Sequence, residues 1–206
     1  MIGIVDYGVG NLFSLRSSLV KIGAEVTVSA DADALRRADK LILPGVGAFG
    51  DAADKLRASG LDRVVTEEAR AGKPVMGICL GMQLLFDRGL EYGVHEGLGL
   101  LHGEVVPMAG KIPASLRIPH IGWNPLQITR PHLLLKYIHD GECVYFVHSF
   151  YAADCADSVI ATAEYGMNVT AAVARGNVMG CQFHPEKSGT VGLRILRAFC
   201  ETEDWT

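Results

Sequence analysis

Gly77-Ile78-Cys79-Leu80-Gly81-Met82-Gln83-Leu84-Leu85-Phe86 carries an apolar run into a G-x-C-x-G turn and out again into a helical pattern. This is the order of a nucleophile elbow with cysteine at the position where serine is commoner. Small residues flank such a nucleophile because the strand-to-helix turn is tight and strained, leaving no room for side chains at Gly77 and Gly81. Cys79 then stands proud of a sheet at a helix N-terminus, where the dipole and unpaired N–H groups favour the thiolate. The Leu80 N–H points at any oxyanion formed there.

Upstream, Ile2 to Val5, then Leu12, Leu15, Leu19 and Ile22 at helical spacing, then Val26 to Val28, read as a βαβ opening. Leu41-Ile42-Leu43 is a third strand ending at Pro44-Gly45, a helical stretch follows to about Ala71, and Pro74 to Ile78 is a fourth strand. None of these strands alternates with polar residues, so both faces of a parallel sheet are covered. From Leu101 to about Cys181 the runs Gly103 to Val106, Cys143 to Val147 and Val178 to Phe183 predict a more antiparallel section, and Thr190 to Phe199 predicts a final packed helix. The expectation is an α/β fold with a central, mostly parallel sheet, flanking helices and an antiparallel section in the second half, as one domain over residues 1–206.

A nucleophilic cysteine needs a base and a group that orients the base. Phe183-His184-Pro185-Glu186 offers both: in an extended segment residues two apart project to one side, and Pro185 favours an extended His184. Pro44-Gly45-Val46-Gly47-Ala48-Phe49 follows the third strand at the carboxyl edge of the sheet, where ligands bind in α/β folds, and could supply a second oxyanion donor. An ordinary glycine turn is the alternative. His95, His102, His132 and His139 are expected to be structural or surface histidines.

Across these segments the chain resembles the class I glutamine amidotransferases, whose pattern is a G-x-C-x-G-x-Q elbow and a late H-P-E. Within the class it is most similar to the glutaminase subunits of imidazole glycerol phosphate synthase, through Asp6 to Leu12, Pro44 to Phe49, Pro119 to Asn124 and Tyr145 to Ser149. The match is collinear over almost the whole chain. It departs from the Pro-Gly-Gly loop of many class members at Pro44-Gly45-Val46-Gly47, which points to the histidine-pathway branch. The resemblance implies glutamine hydrolysis through a Cys79 thioester, with His184 shuttling protons and Glu186 holding its ring. It implies an oxyanion hole of Val46, Gly47 and Leu80, and a glutamine pocket that includes Gln83, Glu91 for the α-amino group, His148 and Ser149. It also implies a cyclase subunit, a β/α barrel, as heterodimeric partner, faced by Asn11, Trp123 and Lys187. No cofactor and no metal are implied. Trp123 and Tyr145 could equally be core aromatics.

Other functions are weighed on the same residues. A stand-alone cysteine hydrolase keeps the elbow and triad without an ammonia acceptor, and a thiol redox sensor has no use for Glu186. Gly8-x-Gly10 with Asp31 about 20 residues on has a dinucleotide-site spacing, but Phe13 occupies the third glycine position. Cys181 and His184 alone make a poor zinc site. With 206 residues, 49% of them hydrophobic, 20% charged and a net charge of −4, the chain has a sizeable core and no basic footprint for nucleic acid or anionic membrane. The five cysteines include no C-x-x-C pair, and there is no N-terminal leader or long apolar run, so the chain reads as cytoplasmic and reduced. Cys143, Cys155, Cys181 and Cys200 are expected to be buried.

Overall fold

The computed structural model describes residues 1–205. The first half runs β1 (Ile2–Val5), α1 (Leu12–Lys21), β2 (Val26–Ser29), α2 (Ala32–Arg37), β3 (Lys40–Leu43), α3 (Phe49–Ala58), α4 (Leu61–Arg70), β4 (Val75–Ile78) and α5 (Leu80–Leu84). The second half adds β5 (Arg88–Gly89), β6 (His95–Glu96), β7 (Glu104–Pro107), β8 (His120–Ile128), β9 (Cys143–His148), β10 (Phe150–Ala153), β11 (Val159–Glu164), β12 (Asn168–Arg175), β13 (Val178–Cys181) and α6 (Gly189–Glu201).

Nine strands form one sheet in the order β2-β1-β3-β4-β13-β12-β11-β8-β9. The first five are parallel and the pairs from β13 outward are antiparallel. The Val178 run, expected within the antiparallel section, thus closes the parallel one. Its tight turn from β12 makes that pair antiparallel, while the long excursion after β4 lets β13 return parallel to β4. A second sheet, β10-β7-β5-β6, was not anticipated, because its two-residue strands β5 and β6 are too short to carry a period. The helical stretch expected up to Ala71 breaks into α3 and α4 where Gly60 turns left-handed at φ 72°. Short α2 was also unanticipated; its N-cap is Asp31, whose Oδ1 accepts from the Ala34 N–H at 2.7 Å. That structural task absorbs the Asp31 of the dinucleotide spacing.

Strand residues alternate between two cores. Ile2, Ile4, Ile42, Met76 and Ile78 pack with Leu15 and Leu19 of α1 and with Ile195, Leu196 and Phe199 of α6. Val5, Leu41, Leu43 and Val75 pack on the opposite face with Leu35 of α2, Leu56 of α3 and Val64 and Val65 of α4. Burial on both faces explains why these strands read as unbroken apolar runs. Lys40 is the exception in β3. The residue is only 7% exposed, and its Nζ donates to the carbonyls of Phe199 (2.9 Å), Cys200 (2.6 Å) and Thr202 (2.7 Å), placing a cation at the C-terminal end of α6. Cys155 and Cys181 are buried as expected, whereas Cys143 is exposed and Cys200 only partly covered. Cys143 starts β9 at the sheet's outer edge, where nothing packs over it.

Neighbouring strands β1, β3, β4 and β13 release their loops at one carboxyl edge, and the loops at residues 6–11, 44–48, 79 and 182–188 converge there.

Candidate active site

Cys79 links β4 to α5 with φ 55° and ψ −113°, a conformation costly for a non-glycine residue. The close approach of the elbow to its surroundings explains the flanking glycines. A Cβ on Gly77 would lie 2.5 Å from Met82 Cα, and one on Gly81 would lie 1.9 Å from the Leu43 carbonyl oxygen. Helix α5 has only five residues, so it offers Cys79 the unpaired N–H groups of one turn rather than a long macrodipole.

His184 follows β13 in an extended conformation, φ −97° and ψ 99°, but Pro185–Lys187 form a 3-10 turn rather than continuing the strand. Glu186 therefore reaches His184 by the turn, with Nδ1 2.8 Å from Glu186 Oε1 and both side chains 3% exposed. Ser188 fixes the turn: its Oγ donates to the His184 carbonyl at 2.7 Å and accepts from the Tyr145 N–H at 2.9 Å. Burial pushes the His184 imidazole down, but hydrogen bonds to Cys79 and Glu186 and the charges of both more than offset it, holding it at about 9. His184 is therefore a proton-bearing group against the sulfur, and an imidazolium there favours the thiolate.

A cavity of about 310 Å³ opens onto this pair. Ten of the residues singled out in the sequence line it: Val46, Gly47, Cys79, Leu80 and Gln83 from the parallel half, and Glu91, His148, Ser149, His184 and Lys187 from the second half. Gly47 takes φ 97°, which a side chain would resist, and the Tyr7 hydroxyl donates to the Pro44 carbonyl at 2.7 Å to hold the base of that loop. Glu91 Oε2 accepts from the Phe49 N–H at 2.7 Å, which orients the carboxylate at the start of α3. His148 donates Nδ1–H to the Phe150 carbonyl at 2.8 Å and its Nε2 lies 3.0 Å from His120 Nδ1, whose Nε2 is 2.8 Å from Asn124 Oδ1. Burial pulls His148 down to about 4, the bond to Phe150 opposing and His120 and His184 adding to the fall.

Glu186 faces away from this cavity. It borders a cleft of about 10 Å³ together with Asn11, which sits behind the His184–Glu186 pair and caps α1 through Oδ1 to the Ser14 N–H at 3.3 Å. Trp123 is 54% exposed on β8, edge-on to Tyr145 at 5.9 Å, which removes it from the core. Ser188 and Gln182 carry no expectation from the sequence, and Tyr7 enters there only as part of the Asp6 to Leu12 match. Gln182 had a legible cue, since it lies two residues before His184 in the segment that leaves β13.

Residues 3–202 match the family described as glutamine amidotransferase class-I. Imidazole glycerol phosphate synthase subunit HisH of Wolinella succinogenes is 48% identical over 203 residues, covering 98% of this chain and 99% of the relative. The subunit of that name from Bacillus licheniformis is 50% identical over 202 residues, covering 97% and 95%. Among solved structures, a crystal structure of glutamine amidotransferase aligns with a TM-score of 0.76 at 21% identity over 97% of both chains. The structure of PurLQS from Thermotoga maritima gives 0.75 at 23% identity over 96% of both, and at such identities the likeness is one of fold. Matched by sequence over nearly its whole length and by fold to a solved glutamine amidotransferase, the chain belongs to the class I glutamine amidotransferases, and within them to the family of imidazole glycerol phosphate synthase subunit HisH.

Proposed function

We propose that this chain is the glutaminase half of an imidazole glycerol phosphate synthase. Cys79 Sγ attacks the side-chain amide carbon of glutamine, and the carbonyl π electrons move onto oxygen. The Leu80 N–H and the loop at Val46 and Gly47 are the donors assigned to that oxyanion. His184 gives its proton to the amide nitrogen, ammonia leaves, and the thioester forms. His184, now neutral, takes a proton from water as the water attacks the thioester; glutamate leaves and Cys79 is regenerated. Glu186 holds Nδ1 throughout. Glu91, with one oxygen committed to Phe49, is assigned the α-amino group, and Gln83, His148 and Ser149 shape the rest of the pocket.

Ammonia released into water is protonated and loses its nucleophilicity, so its consumer must dock over the site. That consumer is a cyclase subunit with a β/α barrel, which forms imidazole glycerol phosphate and aminoimidazole carboxamide ribotide in histidine biosynthesis. Asn11, Trp123 and Lys187 are assigned to the docking face, and the pair works in the cytoplasm as a heterodimer with residues 1–206 as one domain. The observation that carries the reading is the convergence of Cys79 with a buried His184–Glu186 pair on a cavity of about 310 Å³. The test is glutamate release from glutamine by the chain alone and with the cyclase and its ribonucleotide ligand. Stimulation by the liganded cyclase that vanishes in Cys79→Ala supports the reading. Equal release by Cys79→Ala, or none under any condition, overturns it.

A further inference from the structure

We propose that Gln182 is a further catalytic residue, whose side-chain amide donates an N–H to the Cys79 sulfur and holds it as thiolate, in an orientation dictated by the Phe150 carbonyl. The inference rests on the glutaminase reading and adds a residue to it.

Hydrogen-bond polarity carries the argument. A backbone carbonyl can only accept, so the Gln83 group 3.1 Å from Phe150 O is Nε2. The same Nε2 lies 3.0 Å from the Gln182 amide, and its second hydrogen needs an acceptor there, so Gln182 presents Oε1. That leaves Gln182 Nε2 aimed at Cys79 Sγ, 3.8 Å away. Flipping either amide would set oxygen against oxygen or N–H against N–H where water does not reach, Gln182 being 0% and Gln83 5% exposed. The His148 Nδ1–H, 2.8 Å from the same Phe150 oxygen, pins the carbonyl that sets this polarity.

Two kinds of partner therefore flank the sulfur. A thiol donates to the Val147 carbonyl, 4.0 Å from Sγ, and gains little from Gln182. A thiolate is repelled by that carbonyl and accepts the Gln182 N–H as a charge-assisted bond, which shortens as charge develops. The amide thus favours the charged nucleophile independently of His184, and the contact weakens once sulfur has bonded to carbon.

The experiment is iodoacetamide labelling of Cys79 in the full chain from about pH 5 to 10, read by mass spectrometry of its peptide, with exposed Cys143 as internal reference. Gln182→Glu keeps an oxygen for Gln83 but turns a carboxylate toward Sγ. Gln182→Leu removes the donor, and Gln83→Met releases the orientation while leaving Gln182 in place. The pH of half-maximal labelling should rise by about one unit in Gln182→Leu, more in Gln182→Glu and less in Gln83→Met, with Cys143 labelling unchanged. Any variant that melts below the assay temperature is judged by the other two. Half-points equal to wild type in the folded variants overturn the assignment. Glutamate release is scored separately: if wild type releases glutamate while the half-points stay fixed, only the role of Gln182 falls. If wild type releases none with its cyclase present, the glutaminase reading falls.

Discussion

Replacing Glu186 with glutamine measures how much of the acid–base function proposed for His184 is held by one carboxylate. Burial alone would depress the imidazole, yet hydrogen bonds and charges from Cys79 and Glu186 carry it from 6.5 to about 9. That rise corresponds to about 3 kcal/mol in favour of the imidazolium. Solvent screening takes little from it, because both side chains of the His184–Glu186 pair are 3% exposed. Glutamine keeps an oxygen within reach of Nδ1 but removes the charge, and it turns buried Oε2, which has no protein partner among the described residues, into an equally unpartnered N–H group. Loss of a charged hydrogen-bond partner costs about 2 kcal/mol, or about 30-fold in rate. In glutamate release with saturating liganded cyclase, Glu186→Gln should lower kcat by that factor and leave KM within about twofold, because Glu186 borders the cleft behind His184 and does not line the cavity. The alkaline limb of the rate profile should move from about 9 toward 6.5, since the imidazolium now loses its proton earlier. Stability follows the same sign. A raised native value contributes stability that is complete below 6.5 and lost as pH rises through about 9, so the urea midpoint of wild type should fall over that window and that of Glu186→Gln should fall less. A variant with kcat within threefold of wild type and an unmoved alkaline limb would refute the reasoning.

His148 has the opposite sign. Its native value lies at about 4 against 6.5, so the stability it contributes is complete above 6.5 and disappears as pH falls through about 4; urea midpoints in that window should decline less steeply in His148→Gln than in wild type. Gly81→Ala forces a Cβ to 1.9 Å from the Leu43 carbonyl, a backbone atom that cannot swing aside, and should destabilise by about 3 kcal/mol or more. Unchanged denaturation and unchanged Cys79 labelling in that variant would show that the elbow is looser than described. Lys40→Met leaves the three carbonyls at the end of α6 without their cation and should cost about 2 kcal/mol in urea denaturation. Glutamate release per folded molecule should be unaffected, and a wild-type midpoint would dismiss the cap.

Much of the site was legible because its chemistry needs particular residue types at short spacing. Gly77, Cys79 and Gly81 announce a strained turn, and His184 with Glu186 announces a base and its orienter within three residues. The Cys79–His184 meeting could be inferred only from the logic of nucleophile and base, since 105 residues separate them; parallel pairing of β4 with β13 makes the contact. Gln182 was overlooked because a glutamine at the end of an apolar run looks like a strand terminus until Gln83 and Phe150 define which end of its amide faces the sulfur. Cys143 departs from the usual burial of free cysteine because an edge strand leaves its first residue uncovered.

The chain's local chemistry by itself determined the alternation of strands and helices, the elbow at Cys79 and the choice of Cys79, His184 and Glu186 as candidate residues, because periodicity, turn geometry and nucleophile activation each act over a few residues. Tertiary structure alone decided that the Val178 run closes the parallel sheet, that Glu186 meets His184 through a turn, that Trp123 faces outward, and which way the buried amides point. Those outcomes depend on pairing across long excursions and on the donors and acceptors that meet there, and neither is written in the spacing of neighbours along the chain.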